Sequence, residues 1–124
     1  MSKPPTPSFR DKPFEERLDE SERIREKFPE RLPVIVERAH TRGGRDTPEL
    51  DRSRFLVPQD LTLGQLVYVI RRRLSLPADR ALFVFCGSTL PPATVLLREL
   101  FAANRDPDGF LYLSYSSEAS FGAR

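Results

Sequence analysis

Between Arg54 and Leu74 the sequence reads RFLVPQDLTLGQLVYVIRRRL, a stretch that dictates a strand, a turn and an amphipathic helix in that order. Thr62 followed by Gln65 is a capping box: the hydroxyl accepts a hydrogen bond from a free helical amide while the Gln side chain reaches back to the cap. Leu61 and Leu66 stand where a hydrophobic staple closes the same turn. From there Leu63, Leu66, Val67, Ile70 and Leu74 recur at i, i+3, i+4, i+7 and i+11, one apolar stripe facing a core, with Tyr68 and Arg72 opposite. Val69 lies off that stripe, roughly 120° from its centre at about 100° per residue, on the side of Leu66 and Arg73. Either it widens the apolar surface toward solvent beside the preceding strand, leaving a groove for a partner peptide, or it packs under the helix's neighbours.

A chain of 124 residues fits one domain able to bury about two thirds of its unfolded surface. A solitary Cys86 excludes an internal disulfide framework. With no signal segment and no apolar run near 18 residues, the expectation is a reduced, cytoplasmic, non-spanning protein and, absent any other sign of assembly, a monomer. The net charge of +2, from 20 basic and 18 acidic residues, is no polycation. Arg71, Arg72 and Arg73 form a basic cluster, but aromatic residues are not interleaved with it on one face, so nucleic-acid binding is not expected. An enzyme would have to pair Cys86 with His40 as nucleophile and base. One falls in an apolar strand and the other in a glycine-rich loop, which argues against catalysis, and no residue pattern calls for a metal.

Taken in order, residues 1–13 are proline-rich and polar, predicting a mobile arm with at most one short turn near Phe9. Phe14 to Phe28 follows as a charged helix with a narrow stripe of Phe14, Leu18, Ser21, Ile24 and Phe28, stopped by Pro29, so residues 14–30 form a helical extension laid on a domain surface. Leu32 to Ala39 and Arg54 to Val57 form a candidate hairpin across a long loop containing Gly43 and Gly44. Ala81 to Cys86 predicts a strand buried on both faces, with Cys86 as a small hydrophobe. Val95 to Phe101 predicts a short helix, DPDG at Asp106 to Gly109 a turn, and Phe110 to Tyr115 an alternating strand. The order predicts an α+β domain of the β-grasp type over residues 31–116, with the last strand beside the first. Residues 117–124 read as a flexible tail, whose seven steps from Tyr115 to Gly122 reach roughly 23 Å. A glycine there fits a channel too narrow for a side chain.

The segments ESERIREKFPERLPVIVERA, LDRSRFLVPQDLTLGQLVYVIRRRLSLP, TLPP and DPDGFLYLSYSSEASFG, collinear from about Phe14 to Gly122, together resemble the autophagy-related protein 8 family of ubiquitin-like modifiers. That family includes the microtubule-associated light chain and the GABA-receptor-associated protein. The resemblance implies a ubiquitin-like β-grasp with an N-terminal helical extension, and a protein that is itself a substrate. A cysteine protease cuts after Gly122, with Phe121 helping it find the site, and releases Ala123 and Arg124. E1-like and E2-like enzymes then pass the carboxylate through thioesters to the amine of phosphatidylethanolamine. No cofactor is implied beyond that covalent lipid, whose two acyl chains suffice for stable anchoring. The implied locations are the cytoplasm and, after lipidation, the autophagosome membrane and the vacuole or lysosome.

The same resemblance implies capture of cargo receptors and adaptors through aromatic-x-x-aliphatic peptides added to a sheet edge. Glu20, Ile24, Pro33, Ile35, Arg54, Leu56 and Phe110 would line the aromatic pocket. Phe55, Val57, Pro58, Leu61, Leu66 and Val69 would line the aliphatic one. Arg31 would lie near the groove, and Arg54 with its basic neighbours would meet acidic residues preceding the peptide aromatic. The alternative is an unconjugated ubiquitin-like adaptor in vesicle trafficking or microtubule binding. A longer His40 to Thr47 loop, Cys86 in place of an aliphatic residue, a distinct Ala93 to Pro107 segment and SSEAS in the tail mark a diverged isoform.

Overall fold

A computed structural model describes residues 7–40 and 47–119. The sheet is organised around β1 (Arg31–Arg38), where Val34, Ile35 and Val36 are all fully enclosed. Alternation along the strand sends Leu32, Val34 and Val36 into one core and Ile35 into a second cluster on the opposite face. β2 (Arg54–Pro58) pairs antiparallel with β1, and β4 (Leu111–Ser116) pairs parallel with its other side. β3 (Phe83–Phe85) adds antiparallel to β4, giving the order β2-β1-β4-β3. The last strand thus lies beside the first, as the β-grasp expectation requires.

α1 (Phe14–Lys27) and α2 (Leu63–Leu74) cover opposite faces of that sheet. The capping box of α2 is formed in both directions: the Gln65 amide donates to Thr62 Oγ1 at 3.2 Å, and the Thr62 amide donates to Gln65 Oε1 at 2.9 Å. Leu63, Leu66, Ile70 and Leu74 are buried against the sheet, each contributing about 1.5–3 kcal/mol by leaving water.

Two elements differ from the sequence expectation. The short helix, α3 (Leu97–Asn104), begins later than Val95 because that stretch is needed as extended backbone. The Leu63 amide donates to the Val95 carbonyl at 2.9 Å and the Leu97 amide to the Leu61 carbonyl at 2.8 Å, tying the start of α3 to the start of α2. β3 is shorter than Ala81 to Cys86; it lies at the sheet edge, yet is buried on both faces through its successive residues Val84 and Phe85. The chain then turns away at Cys86, whose amide and carbonyl bond back to Thr89 around Gly87 at a φ of 62°.

On the other face, the centre of α1's narrow stripe is the small residue Ser21, 1% exposed, while Phe14 and Phe28 at its ends stay largely in solvent. Ser21 Oγ donates to the Asp108 carbonyl at 2.6 Å. A Cβ on Gly109 would stand 2.2 Å from that hydroxyl oxygen, and the φ of 89° there already favours glycine. The proline-rich arm also differs. The short turn near Phe9 is present at Phe9–Asp11, but it is docked rather than loose, with Phe9 only 6% exposed. Residues 1–6 of the arm, Gly43 and Gly44, and the tail residues Phe121 and Gly122 lie outside the described residues. Among the described residues no helix is long and apolar enough to cross a membrane.

Candidate functional site: a groove along the β2 edge

Among the described residues β2 has one partner strand, so its other side carries an open row of backbone groups. The Val36 amide donates to the Ser53 carbonyl at 2.8 Å and the Gln59 amide to the Glu30 carbonyl. With the observed register, alternation turns the backbone groups of Phe55 and Val57 toward β1 and those of Arg54 and Leu56 toward the open edge. Pro33 sits opposite Leu56, where β1 makes no ladder bond to β2, so its missing amide is harmless. The Leu56 carbonyl accepts instead from Arg31 Nη1 at 3.0 Å. An open edge with a regular donor and acceptor pattern is a template for an added strand.

The aromatic set assembles on the α1 face. Ile35 and Phe110 are fully buried in one cluster with Ile24 packed against it. Glu20 on α1 forms an ion pair with Arg54 on β2 across the top, and the same carboxylate takes Lys12 at 3.4 Å. Leu56 is half-buried beside them. The aliphatic set assembles on the α2 flank of the same strand. Phe55, Val57 and Leu66 belong to the main core, with Leu61 packed against it. Val69 is 37% exposed and Pro58 is exposed, so Val69 widens the apolar surface rather than packing beneath it. One turn on, the Arg73 guanidinium lies 5.4 Å from the centroid of the Phe55 ring, which places this flank of α2 alongside β2.

Phe9 and Lys12 join the aromatic set although sequence reasoning left them in a loose arm. The Phe9 ring meets Phe110 edge-on with centroids 4.8 Å apart. The available signal was the Ser8 to Asp11 spacing, a capping box that both side chains complete.

α1 is fastened to the sheet by a polar cluster below this groove. Asp108, fully buried, takes Arg17 Nη1 at 2.5 Å, the Tyr112 hydroxyl and the Phe110 amide. Burial, reinforced by Asp108, pushes the Tyr112 hydroxyl well above its usual pKa. Burial opposes ionisation of Asp106, but the Asp108 amide and the Arg10 guanidinium still hold its carboxyl below the usual range. Cys86 is half-buried, and desolvation pushes its thiol up, the opposite of what a nucleophile needs. An open cleft of about 820 Å³ lies between Ser21, Glu22 and Arg25 of α1 and the Arg105 to Gly109 turn. None of the groove residues lines it. A strand-addition site is a shallow edge and not a cavity, so the open edge and the paired side-chain sets carry more weight than that cleft.

Comparison with known proteins places the chain among relatives of similar sequence and fold. The family model described as autophagy protein Atg8, ubiquitin like, matches residues 16–122. Autophagy-related protein 8a of Arabidopsis thaliana is 51% identical over 111 residues, covering 90% of this chain and 88% of its own. The crystal structure of Trypanosoma brucei ATG8 superposes with a TM-score of 0.83 at 42% identity, covering 94% of this chain and all of that one. Plasmodium falciparum Atg8, solved in complex with a P. falciparum Atg3 peptide, gives the same TM-score at 31% identity and the same coverage.

Proposed function

The chain belongs to the Atg8 family of ubiquitin-like autophagy proteins, and from that premise we propose that it is cut after Gly122 and conjugated to phosphatidylethanolamine, carrying bound adaptors to the autophagosome membrane. The observation that carries this reading is a family match running through the tail and ending on Gly122. A β-grasp body offers no spanning helix among the described residues, so membrane attachment calls for a lipid with two chains. A cysteine protease would recognise Phe121 and expose the Gly122 carboxylate. E1-like and E2-like enzymes would activate and transfer it, and a glycine suits a narrow channel because it has no side chain.

Peptide capture is the second half of the proposal. The open edge of β2 supports strand addition, and the flanking side-chain sets support an aromatic on the α1 side and an aliphatic on the α2 side. That a solved Atg8 holds an Atg3 peptide supports use of such a surface toward an E2-like enzyme as well as toward cargo receptors.

The test is the intact mass of protein recovered from cells, with Gly122→Ala beside it. Loss of Ala123 and Arg124 and gain of a phospholipid are expected for the natural chain, and neither for the variant, which keeps its fold and peptide affinity. A Gly122→Ala protein that still reaches membranes would refute the conjugation reading. For the groove, Leu56→Ala is expected to weaken a Phe-x-x-Leu peptide by about 2 kcal/mol, as truncation of a central anchor does. Unchanged affinity in calorimetry would sink the assignment.

A further inference from the structure

If the groove is a peptide site, its aromatic half is already filled in the free protein. Ile35 is 0% and Phe110 1% exposed, so a partner's aromatic ring has no access to either. What covers them includes Phe9, packed in the same cluster and in edge contact with Phe110. We propose that Phe9 is an intramolecular plug of the aromatic half of the groove, a mimic of the partner's aromatic that must leave before a peptide can seat.

The attachment of the plug fits this role. Its backbone meets the sheet at the Glu37 carboxylate, which accepts from the Phe9 amide at 2.7 Å and from Ser8 Oγ at 3.0 Å, while the next residue, Arg10, pairs with Asp106 at 2.9 Å and lies over the Tyr112 ring. Its ring is roofed by two cations, the Arg54 guanidinium 5.1 Å and the Lys12 ammonium 5.2 Å from the centroid. Both cations are pinned by the single carboxylate of Glu20. Partly exposed ion pairs of this kind contribute at most about 1 kcal/mol each, so a competing carboxylate can take them over. Acidic residues preceding a partner's aromatic would draw Arg54 and Lys12 from Glu20, unroof Phe9 and let the two aromatics exchange. The acidic flank then acts as the key to the plug as well as a steering charge. Phe9 would also set specificity, because a peptide lacking that flank faces a closed pocket, and its apparent affinity falls by the fraction of molecules that are open.

This inference rests on the peptide-groove reading, and the experiment separates the two. A synthetic Asp-Asp-Phe-x-x-Leu peptide free of Trp is titrated calorimetrically into the full chain, Phe9→Ala, Glu37→Ala and Leu56→Ala, with thermal melts to confirm folding. Phe9→Ala and Glu37→Ala are expected to bind about three- to tenfold more tightly; Glu37→Ala does this without altering any groove residue. The chain contains no Trp, so Phe9→Trp provides a single reporter whose indole emission is blue-shifted in the free protein and moves to the red as peptide is added. If the natural chain binds but both variants bind equally or more weakly, or if the indole emission of Phe9→Trp stays blue at saturation, Phe9 is a fixed wall and the plug is wrong. If no form binds the peptide, the groove reading fails and takes the plug with it.

Discussion

On the α2 face of the sheet, the contacts that hold the helix are dry and apolar: Leu63, Leu66, Ile70 and Leu74 meet Val34, Val36, Leu97 and Leu113 with almost no exposure. On the α1 face the helix meets the sheet through Ile24, packed on the small Phe9–Ile35–Phe110 cluster, and through Ser21, the Arg17–Asp108–Tyr112 cluster and the Glu20–Arg54 pair, with Phe14 and Phe28 left outside. Apolar burial is non-directional and is lost only by unfolding the face, whereas a few directional polar contacts can be exchanged for others. The difference teaches why the candidate site straddles β2. One flank of β2, with Phe55, Val57 and Leu66, belongs to the apolar core, while the other, with Glu20 and Arg54, is fastened largely by polar contacts.

The comparison breaks first if its rigid side is not rigid. Ile70→Ala removes a fully enclosed side chain and is expected to lower stability by about 2–5 kcal/mol in denaturant unfolding, accelerating amide exchange throughout the sheet. Asp108→Asn keeps the shape and removes the charge that Arg17 and Tyr112 share. It is expected to lower stability by about 1–3 kcal/mol, with faster amide exchange confined to α1 and the 105–109 turn. Exchange that spreads equally into α2 would erase the distinction between the faces.

Each face also contains a tyrosine whose hydroxyl is hindered from ionising. Tyr115, in the main core, donates to the Pro48 carbonyl at 2.8 Å and accepts from the Leu50 amide at 3.0 Å. Burial pushes its pKa up to about 12, and Tyr112 is raised too. A folded-state pKa above the unfolded one means the stabilisation is complete below the unfolded value of about 10 and disappears as pH climbs through the folded value. Melting temperature should therefore fall steeply above about pH 10. Tyr115→Phe should lose about 0.5–1.5 kcal/mol at neutral pH and show a shallower alkaline decline; an unchanged decline would assign the effect elsewhere. The smallest expected change is Arg54→Ala. Its pair with Glu20 is half-exposed, so stability should move by less than about 1 kcal/mol, while the salt dependence of acidic-peptide association weakens measurably in stopped-flow mixing.

Elements written in short-range patterns were legible. The Thr62 to Gln65 box, the stripe of α2, the β-branched run of β1 and the DPDG turn each involve residues a few positions apart, and each appears where the pattern placed it. Val69 was legible as the residue off the stripe. The structure departs from the local pattern where a distant segment decides the outcome. Val95 and Leu96 were drawn out of the helix by the start of α2, whose Leu61 carbonyl and Leu63 amide bond to the Leu97 amide and the Val95 carbonyl.

By itself, then, the sequence determined two amphipathic helices, the strands, a β-grasp order and a tail carrying a glycine. Only the tertiary structure decided that the arm before α1 is docked, that Ser21 leaves no room for anything larger than Gly109, and that Phe9 packs with Ile35 and Phe110. The reason is sequence distance: the bonds that set these features join residues such as Ser8 and Glu37, 29 apart, or Arg17 and Asp108, 91 apart. Periodicity says which side of an element is apolar. Which surface that side meets is settled when distant segments compete for the same space.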